Sequence, residues 1–423
     1  MTETRAHTSD GRTGPPARQT IGDHGDMTVI SRYHEVQEVM RTSGFWPSMF
    51  GRFSKPLLDG SLMSLPTEEH LTRRRAEVVM FSRSQLMEYE LEITVPALRR
   101  HLLEALDGGD SKIDIMDVMR SALLQVTAKI IGLDLPDSAA DIDELRVMAE
   151  RFGDAAAAEW LVSGAAEVVE EALTARDRFD VRYFQPALAR RRRLIATNEA
   201  GSTNDLLTLL LRTFPDMDTD QLRREAVFYV NAAANTTSHL APHVLLDLME
   251  YFKGNPEHRG LAADLGFLQR AVSEALRLHP TVPALMRMAL DDIELSTGRT
   301  VAKGEQLLLD LNASGRDESV YGPTAHLYDP FRTLPPRTPP YGLAFGDGAH
   351  TCLGRQVAVG AGNGSVSRDD LPAGVLTRLL REVLRFDPHV DPDDPPVYRP
   401  NTMTRRFSAF PVVLHRPSSS PEK

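Results

Sequence analysis

From Thr67 to Leu278 the sequence keeps one texture, apolar residues recurring at helical spacing with only short polar interruptions. A run of that length commits a chain to helix-on-helix packing, because each amphipathic helix must bury its apolar stripe against a neighbour. Helices are expected over 67–107, 113–133, 138–152, 155–173, 177–197, 203–213, 219–253 and 264–278, the last stopped by Pro280. Beyond Pro280 the pattern changes. Ile293-Glu294-Leu295, Thr300-Val301 and residues 306–311 read as short strands between Gly and Asp punctuation. Residues 323–340, rich in Pro, read as a long irregular connection, followed by helices starting near Cys352 and over 376–384, and strands within 398–414. Ahead of the helical run stand a strand at 27–30, a helix at 33–41 and a stretch over 44–63 that mixes Phe45, Trp46, Phe50 and Phe53 with Gly, Ser and Pro. That stretch reads as a long loop carrying apolar side chains, and such loops are usually functional. The expected fold class is mainly α with a minor β portion. Residues 27–423 are expected to form one large helical domain, and the Thr-, Gly- and Pro-rich residues 1–26 a disordered arm.

Composition removes several classes. Lys plus Arg number 48 against 59 Asp plus Glu, a formal net charge of -11, which argues against a nucleic-acid binder. A single cysteine, Cys352, rules out an internal disulfide and a zinc site built on several thiolates. No apolar run approaches the ~18 residues of a membrane-spanning helix. The first residues lack a secretory apolar core, so a cytoplasmic, soluble protein with no membrane partner is expected. Nothing like a heptad seam is visible, and a monomer is expected.

The most specific segment is Phe345-Gly346-Asp347-Gly348-Ala349-His350-Thr351-Cys352-Leu353-Gly354. Glycines ahead of the cysteine let the backbone turn tightly and approach a flat ligand, and N–H groups of such a loop can point at the sulfur. A lone cysteine in a Gly-rich loop is by itself usually inert, but that account leaves Phe345, His350 and Gly354 unexplained at their offsets. The segment resembles the haem-binding loop of the cytochromes P450. The resemblance implies the cytochrome P450 fold, with Cys352 as thiolate ligand of the iron of haem b. It also implies Phe345 packed near the sulfur, Gly346 and Gly354 shaping the loop, and His350 on a haem propionate.

Three further constellations match the same family. Glu274 and Arg277 lie three apart on one helix face, and with Arg332 they match the family's structural Glu-x-x-Arg pair and its third arginine. His70 and Arg74, four apart, and Arg287 match its propionate-binding residues. Arg73 and Arg75 read equally as a solvated face or as a patch for an acidic ferredoxin. Within 219–253, Ala232-Ala233-Ala234-Asn235-Thr236-Thr237 puts hydroxyls in mid-helix, which read alone suggests a tightly packed, bent core helix. The resemblance assigns this segment to O2 and proton handling, with Thr236 as the family's threonine. Ala233 stands where glycine is usual and Asn235 where the acid is usual, and asparagine does not titrate near neutral pH.

The resemblance implies a soluble bacterial-type monooxygenase that hydroxylates or epoxidises a small organic molecule, with secondary metabolism as the setting. Two rivals follow from Asn235 and stay open: atypical haem-thiolate chemistry (coupling, dehydration or peroxide-driven oxidation), or a haem-containing binding protein without turnover. No reductase segment is fused, so O2 reduction would draw NAD(P)H-derived electrons through a separate ferredoxin and ferredoxin reductase. From the family layout, substrate contacts are expected at Trp46, Met49, Phe50, Val230, Ala234, Val282, Leu285, Met286, Thr402 and Met403, a mostly apolar set. The glycines at 360, 362 and 364 and the polar stretch to Gly374 depart from the continuous helix of most relatives and suggest an insertion.

Overall fold

The computed structural model describes residues 27–48, 53–107, 112–135, 139–201, 203–361, 371–400, 402 and 405–415. The expected N-terminal arm (1–26), the pocket candidates Met49, Phe50 and Met403, and the centre of the expected insertion (362–370) lie outside the described residues.

Helices dominate. Those that build the site are α1 (Thr67–Glu77), α2 (Ile115–Ile131), α3 (Ala139–Ala156), α4 (Thr219–Val230), α5 (Thr236–Gly254), α6 (Leu265–Leu278) and α7 (Val375–Leu384). Their starts follow local chemistry. Asp114 caps α2 by accepting the Met116 N–H at 2.9 Å, and Asp264 caps α6 through Phe267 N–H at 2.6 Å. At α4, Asp218 and Gln221 form a reciprocal capping box. Gly132, in the left-handed region at φ 89°, ends α2.

Several expected boundaries shift. The segment 219–253 is not one uniform helix: α4 and α5 are joined by a π-helical turn, Asn231–Asn235. The expected helix over 155–173 is broken by a 3-10 turn at Ala158–Trp160 and restarts as Ala165–Phe179 after Gly164, which sits at φ 78°. The expected loop over 44–63 contains a strand, a helical turn at Lys55–Leu58 and a 3-10 turn at Leu62–Ser64.

The main sheet has four strands, β1 (Thr28–Ile30), β2 (Phe45–Pro47), β3 (Ala284–Ala289) and β4 (Gln306–Asp310), in the order β1-β4-β3-β2. β1 runs parallel to β4, and the other pairs are antiparallel, with Leu285 opposite Leu309 and Trp46 opposite Met288. β2 and β3 were not expected. Three aromatic-rich residues are too short to show a period, and Ala284-Leu285-Met286-Arg287-Met288-Ala289 is built largely from helix formers. Pairing with β4 overrides that preference, as tertiary context does in sheets.

The buried apolar residues fall into four clusters. One gathers α2, α3 and α4; the second α5, α6 and α7; the third the sheet; the fourth is a small group around Trp160 and Leu308. No helix among the described residues is long and apolar enough to cross a membrane.

Candidate active site

The four clusters surround an internal cavity of about 300 Å³. Its walls come from α2 (Leu123, Val126), the end of α3 (Gly153, Ala156), the turn between α4 and α5, β3 (Leu285, Arg287), and the loop 344–354.

The cysteine loop owes its shape to backbone constraints. Gly346 and Gly348 adopt φ 68° and 70°, and a Cβ on Gly348 would come 2.7 Å from the Met40 carbonyl oxygen. The Cys352 N–H closes the loop on Phe345 O at 2.8 Å. Asp347 pins it to the helix Tyr33–Arg41, accepting from Gln37 at 2.9 Å and Arg41 Nε at 3.1 Å. Against the pull of burial, Arg41, the Gly348 N–H and Gln37 hold the Asp347 carboxyl below its ordinary range. The Cys352 sulfur faces the cavity; its exposure is to this interior and not to bulk water. Burial pushes the thiol up, while the Gly354 N–H, Arg74 and Arg355 pull the other way. A metal cation at the sulfur would complete what those groups begin.

Beside the sulfur lies a cluster of basic side chains without an anion. Arg287 is buried and, among the described residues, bonds only the Met286 carbonyl, at 2.9 Å; burial alone lowers its guanidinium to about 10. Arg74 lines the cavity and is likewise lowered, burial being the largest cause, and no carboxylate among the described residues forms an ion pair with it. His350 is pushed down to about 3 by burial and by His70, Arg287 and Arg74, and its Nδ1 has no partner. Buried cations are costly unless paired, so Arg74 and Arg287, with the neutral His350 ring able to donate one N–H, are matched to an anionic ligand. His70 does not line the cavity. Its Nδ1 meets Leu62 O at 2.8 Å, its Nε2 meets Ala349 O at 3.2 Å, and its ring packs against His350, tilted by 38° with centroids 3.9 Å apart. It therefore braces His350 and the loop from behind the cavity wall. Arg73, expected on a solvated or docking face, is buried against Glu225 at 2.8 Å.

In the π-helical turn, Thr236 Oγ1 donates to Ala232 O at 2.7 Å. Asn235 Nδ2 donates to Ala149 O at 2.6 Å and to Asn231 Oδ1 at 3.2 Å, so its amide ties the turn to α3. Gly153 makes room for it, since a Cβ there would come 2.6 Å from Nδ2. Away from the cavity, Glu274 binds Arg277 through two contacts of 2.7 and 2.6 Å and accepts from Arg332 Nε at 2.9 Å. Arg277 also donates to the carbonyls of Ala325 and Leu327, fixing the irregular connection to α6.

Of the expected substrate contacts, Val282 and Leu285 line the cavity. Val230 and Ala234 do not: four apart on one helix face, they are fully buried in the first core cluster. Met286 also points elsewhere, because strand alternation sends Leu285 and Arg287 to the cavity and Met286 to the Trp160–Leu308 cluster. Trp46 is held in β2, and Thr402 forms a bridge with Leu161; neither reaches the cavity. The sequence reading missed Trp160, Tyr229, His239 and Arg406, all on the wall. For His239 a signal existed, three residues past Thr236 and so on the same helix face.

A thiol, an apolar slot, two orphaned guanidinium cations and an unpartnered imidazole fit a flat, dianionic iron macrocycle. The family model described as Cytochrome P450 matches residues 253–359, which hold both Glu274 and Cys352. A Drosophila melanogaster protein named probable cytochrome P450 313a5 is 34% identical over 34% of this chain, a match that spans only 31% of that relative's length. The vitamin D(3) 25-hydroxylase of Pseudonocardia autotrophica is 26% identical over 95% of this chain and 92% of its own. Among solved structures, CalO2 superposes with a TM-score of 0.71 at 22% identity, covering 91% of this chain and 90% of that one. The loop, the carboxylate–arginine pair and the helical frame thus meet in one known architecture: the chain has the cytochrome P450 fold, and its residues 253–359 match the cytochrome P450 family.

Proposed function

We propose that this chain holds haem b through Cys352 and inserts one oxygen atom of O2 into a small, largely apolar organic molecule, by hydroxylation or epoxidation, in secondary metabolism. The observation that carries the reading is the convergence of Arg74, Arg287 and His350, all lacking an anion, on the cavity that Cys352 lines. These three residues would take the propionates, with Phe345, Gly346 and Gly354 shaping the thiolate side. When bound, haem supplies the oxygen-activating chemistry. The chain's own part is to exclude water with the apolar walls and to present the Thr236 hydroxyl at the widened turn. With its hydrogen given to Ala232 O, that hydroxyl oxygen can accept a hydrogen bond from water. Electrons would come from a separate ferredoxin and its NAD(P)H-dependent reductase.

A second reading has one observation in its favour. Asn235 is spent on Ala149 and Asn231, so it relays no proton, which suits coupling, dehydration or peroxide-driven oxidation. Both readings need the thiolate. The reduced, CO-bound wild type should show the thiolate-type haem band and Cys352→Ala should lose it; an unchanged band in the variant would remove Cys352 from the iron. Single-turnover product analysis with NAD(P)H and partner proteins, against peroxide alone, separates the two readings.

A further inference from the structure

A second group of unpaired polar side chains lines the same cavity on a different wall. His239 projects from α5, and Arg406 enters just before the strand Phe407–Ala409. Arg406 Nε and His239 Nδ1 are buried without a hydrogen-bond partner, and no ion pair reaches Arg406 among the described residues. The nearby acids are already engaged. Asp154 is clasped by both terminal nitrogens of Arg399, one at 2.7 Å, and Glu150 is shared by Arg120 and Arg146, the latter at 2.8 Å. His243, the remaining titratable neighbour, meets Arg405 O at 3.2 Å and stacks on His279. Arg406 is therefore a surplus cation.

This wall is separate from the propionate cluster. The charges that bear on His350 are His70, Arg287 and Arg74, while those that bear on His239 are Arg406, Arg120, Arg399 and His243. The two sets share no member, so a haem held by the first leaves the second unanswered.

We propose that Arg406 and His239 form a carboxylate-binding subsite, and that the substrate is an otherwise apolar organic acid. The inference rests on the haem-thiolate reading and adds the substrate class. A planar guanidinium matches the two oxygens of a carboxylate, and apolar walls accept the rest of the molecule. Burial, with Arg399 adding repulsion, lowers Arg406 to about 10, which leaves it cationic at neutral pH. Burial and the surrounding cations push His239 well below its ordinary value, so the neutral imidazole offers one N–H donor. His239 lies three residues beyond Thr236 on the same helix, about 4.5 Å along its axis, so the acid end is fixed beside the reacting turn.

The test uses ferric, haem-loaded protein at neutral pH. Dodecanoate, 4-phenylbutyrate and abietate are each titrated against their methyl esters, following the haem band and the heat of binding. The expected result is binding of at least one acid about tenfold or more tighter than its ester, a gap near 1.4 kcal/mol. Arg406→Gln should erase the gap and Arg406→Lys keep part of it. Without ligand, Arg406→Gln should also raise the melting temperature, because it removes a buried unpaired charge. Equal affinity for acid and ester, no acid bound, a gap that survives Arg406→Gln, or a lower melting temperature in that variant would overturn the subsite. Absence of the thiolate-type CO band from the wild type would instead overturn the haem-thiolate reading beneath it.

Discussion

Asn235 shows how one side chain can be named from sequence while its packing partner stays hidden. Its place in the helix was legible from the small residues and hydroxyls around it. Its partner was not, because Ala149 and Gly153 lie on a helix far away in the chain and carry no motif. The amide donates to two acceptor oxygens, and Asn235→Asp would turn a carboxylate toward both. Burial and the facing oxygens would raise that carboxyl above its unfolded value of ~3.9. A group with a raised folded value contributes stability that is present below the unfolded value and lost as pH rises through the folded one. The variant should therefore be less stable than wild type by about 1–3 kcal/mol near neutral pH, with the deficit shrinking toward mildly acidic pH. Urea unfolding across that pH range reads this directly; a deficit independent of pH would refute the assignment. Arg406 was illegible for the same reason as Ala149: an orphaned charge exists only once the nearby acids are seen to be taken.

At the scale of elements, the clearest case is the clamp between α1 and α4. Arg73 turns inward to Glu225, which also accepts the Leu62 N–H at 3.0 Å, and the next residue, Arg74, is thereby rotated to the cavity. In the same seam Tyr229 donates to Glu77 at 2.7 Å. Burial, then the neighbouring Glu225, pushes the Glu77 carboxyl well above its usual range, only partly offset by Tyr229, Arg73 and Arg74. Its contribution to stability is present in acid and fades as pH rises through the raised value. Glu77→Gln keeps an oxygen for Tyr229 and removes the titration. The variant should gain about 1 kcal/mol over wild type at mildly alkaline pH and none in mild acid. An equal change at both ends, measured by denaturant unfolding, would mean that Glu77 is ionised throughout. Sequence texture located α1 and α4 through apolar spacing, but the pairing of their charged faces needed the fold. The strand β3 failed for the opposite reason: its residues prefer helix and are held extended by β4.

Over the whole molecule, the helical class and the cysteine loop were readable because both are local patterns, one of period and one of offset. What joins them is not local. The cavity takes Phe228 from beside the first core cluster, Phe345 from beside the second, Leu311 from the sheet cluster and Trp160 from the fourth. A bound macrocycle would then be the shared core of four otherwise separate hydrophobic units, and it would neutralise the Arg74 and Arg287 charges. Ligand that binds only the folded state stabilises it through mass action, by ~4 kcal/mol at a thousandfold excess over its dissociation constant. Removing haem should accordingly cost more than lost contacts, because two buried guanidinium charges, Arg74 and Arg287, are left without an anion. The expected outcome is a melting temperature lower by many degrees in the haem-free protein. Hydrogen exchange should accelerate in the loop 344–354 and the turn Asn231–Asn235, while the backbone around Glu274, Arg277 and Arg332, which needs no ligand, stays protected. Uniform exchange across both regions would show instead that the clusters fold as one unit whether or not the cavity is filled.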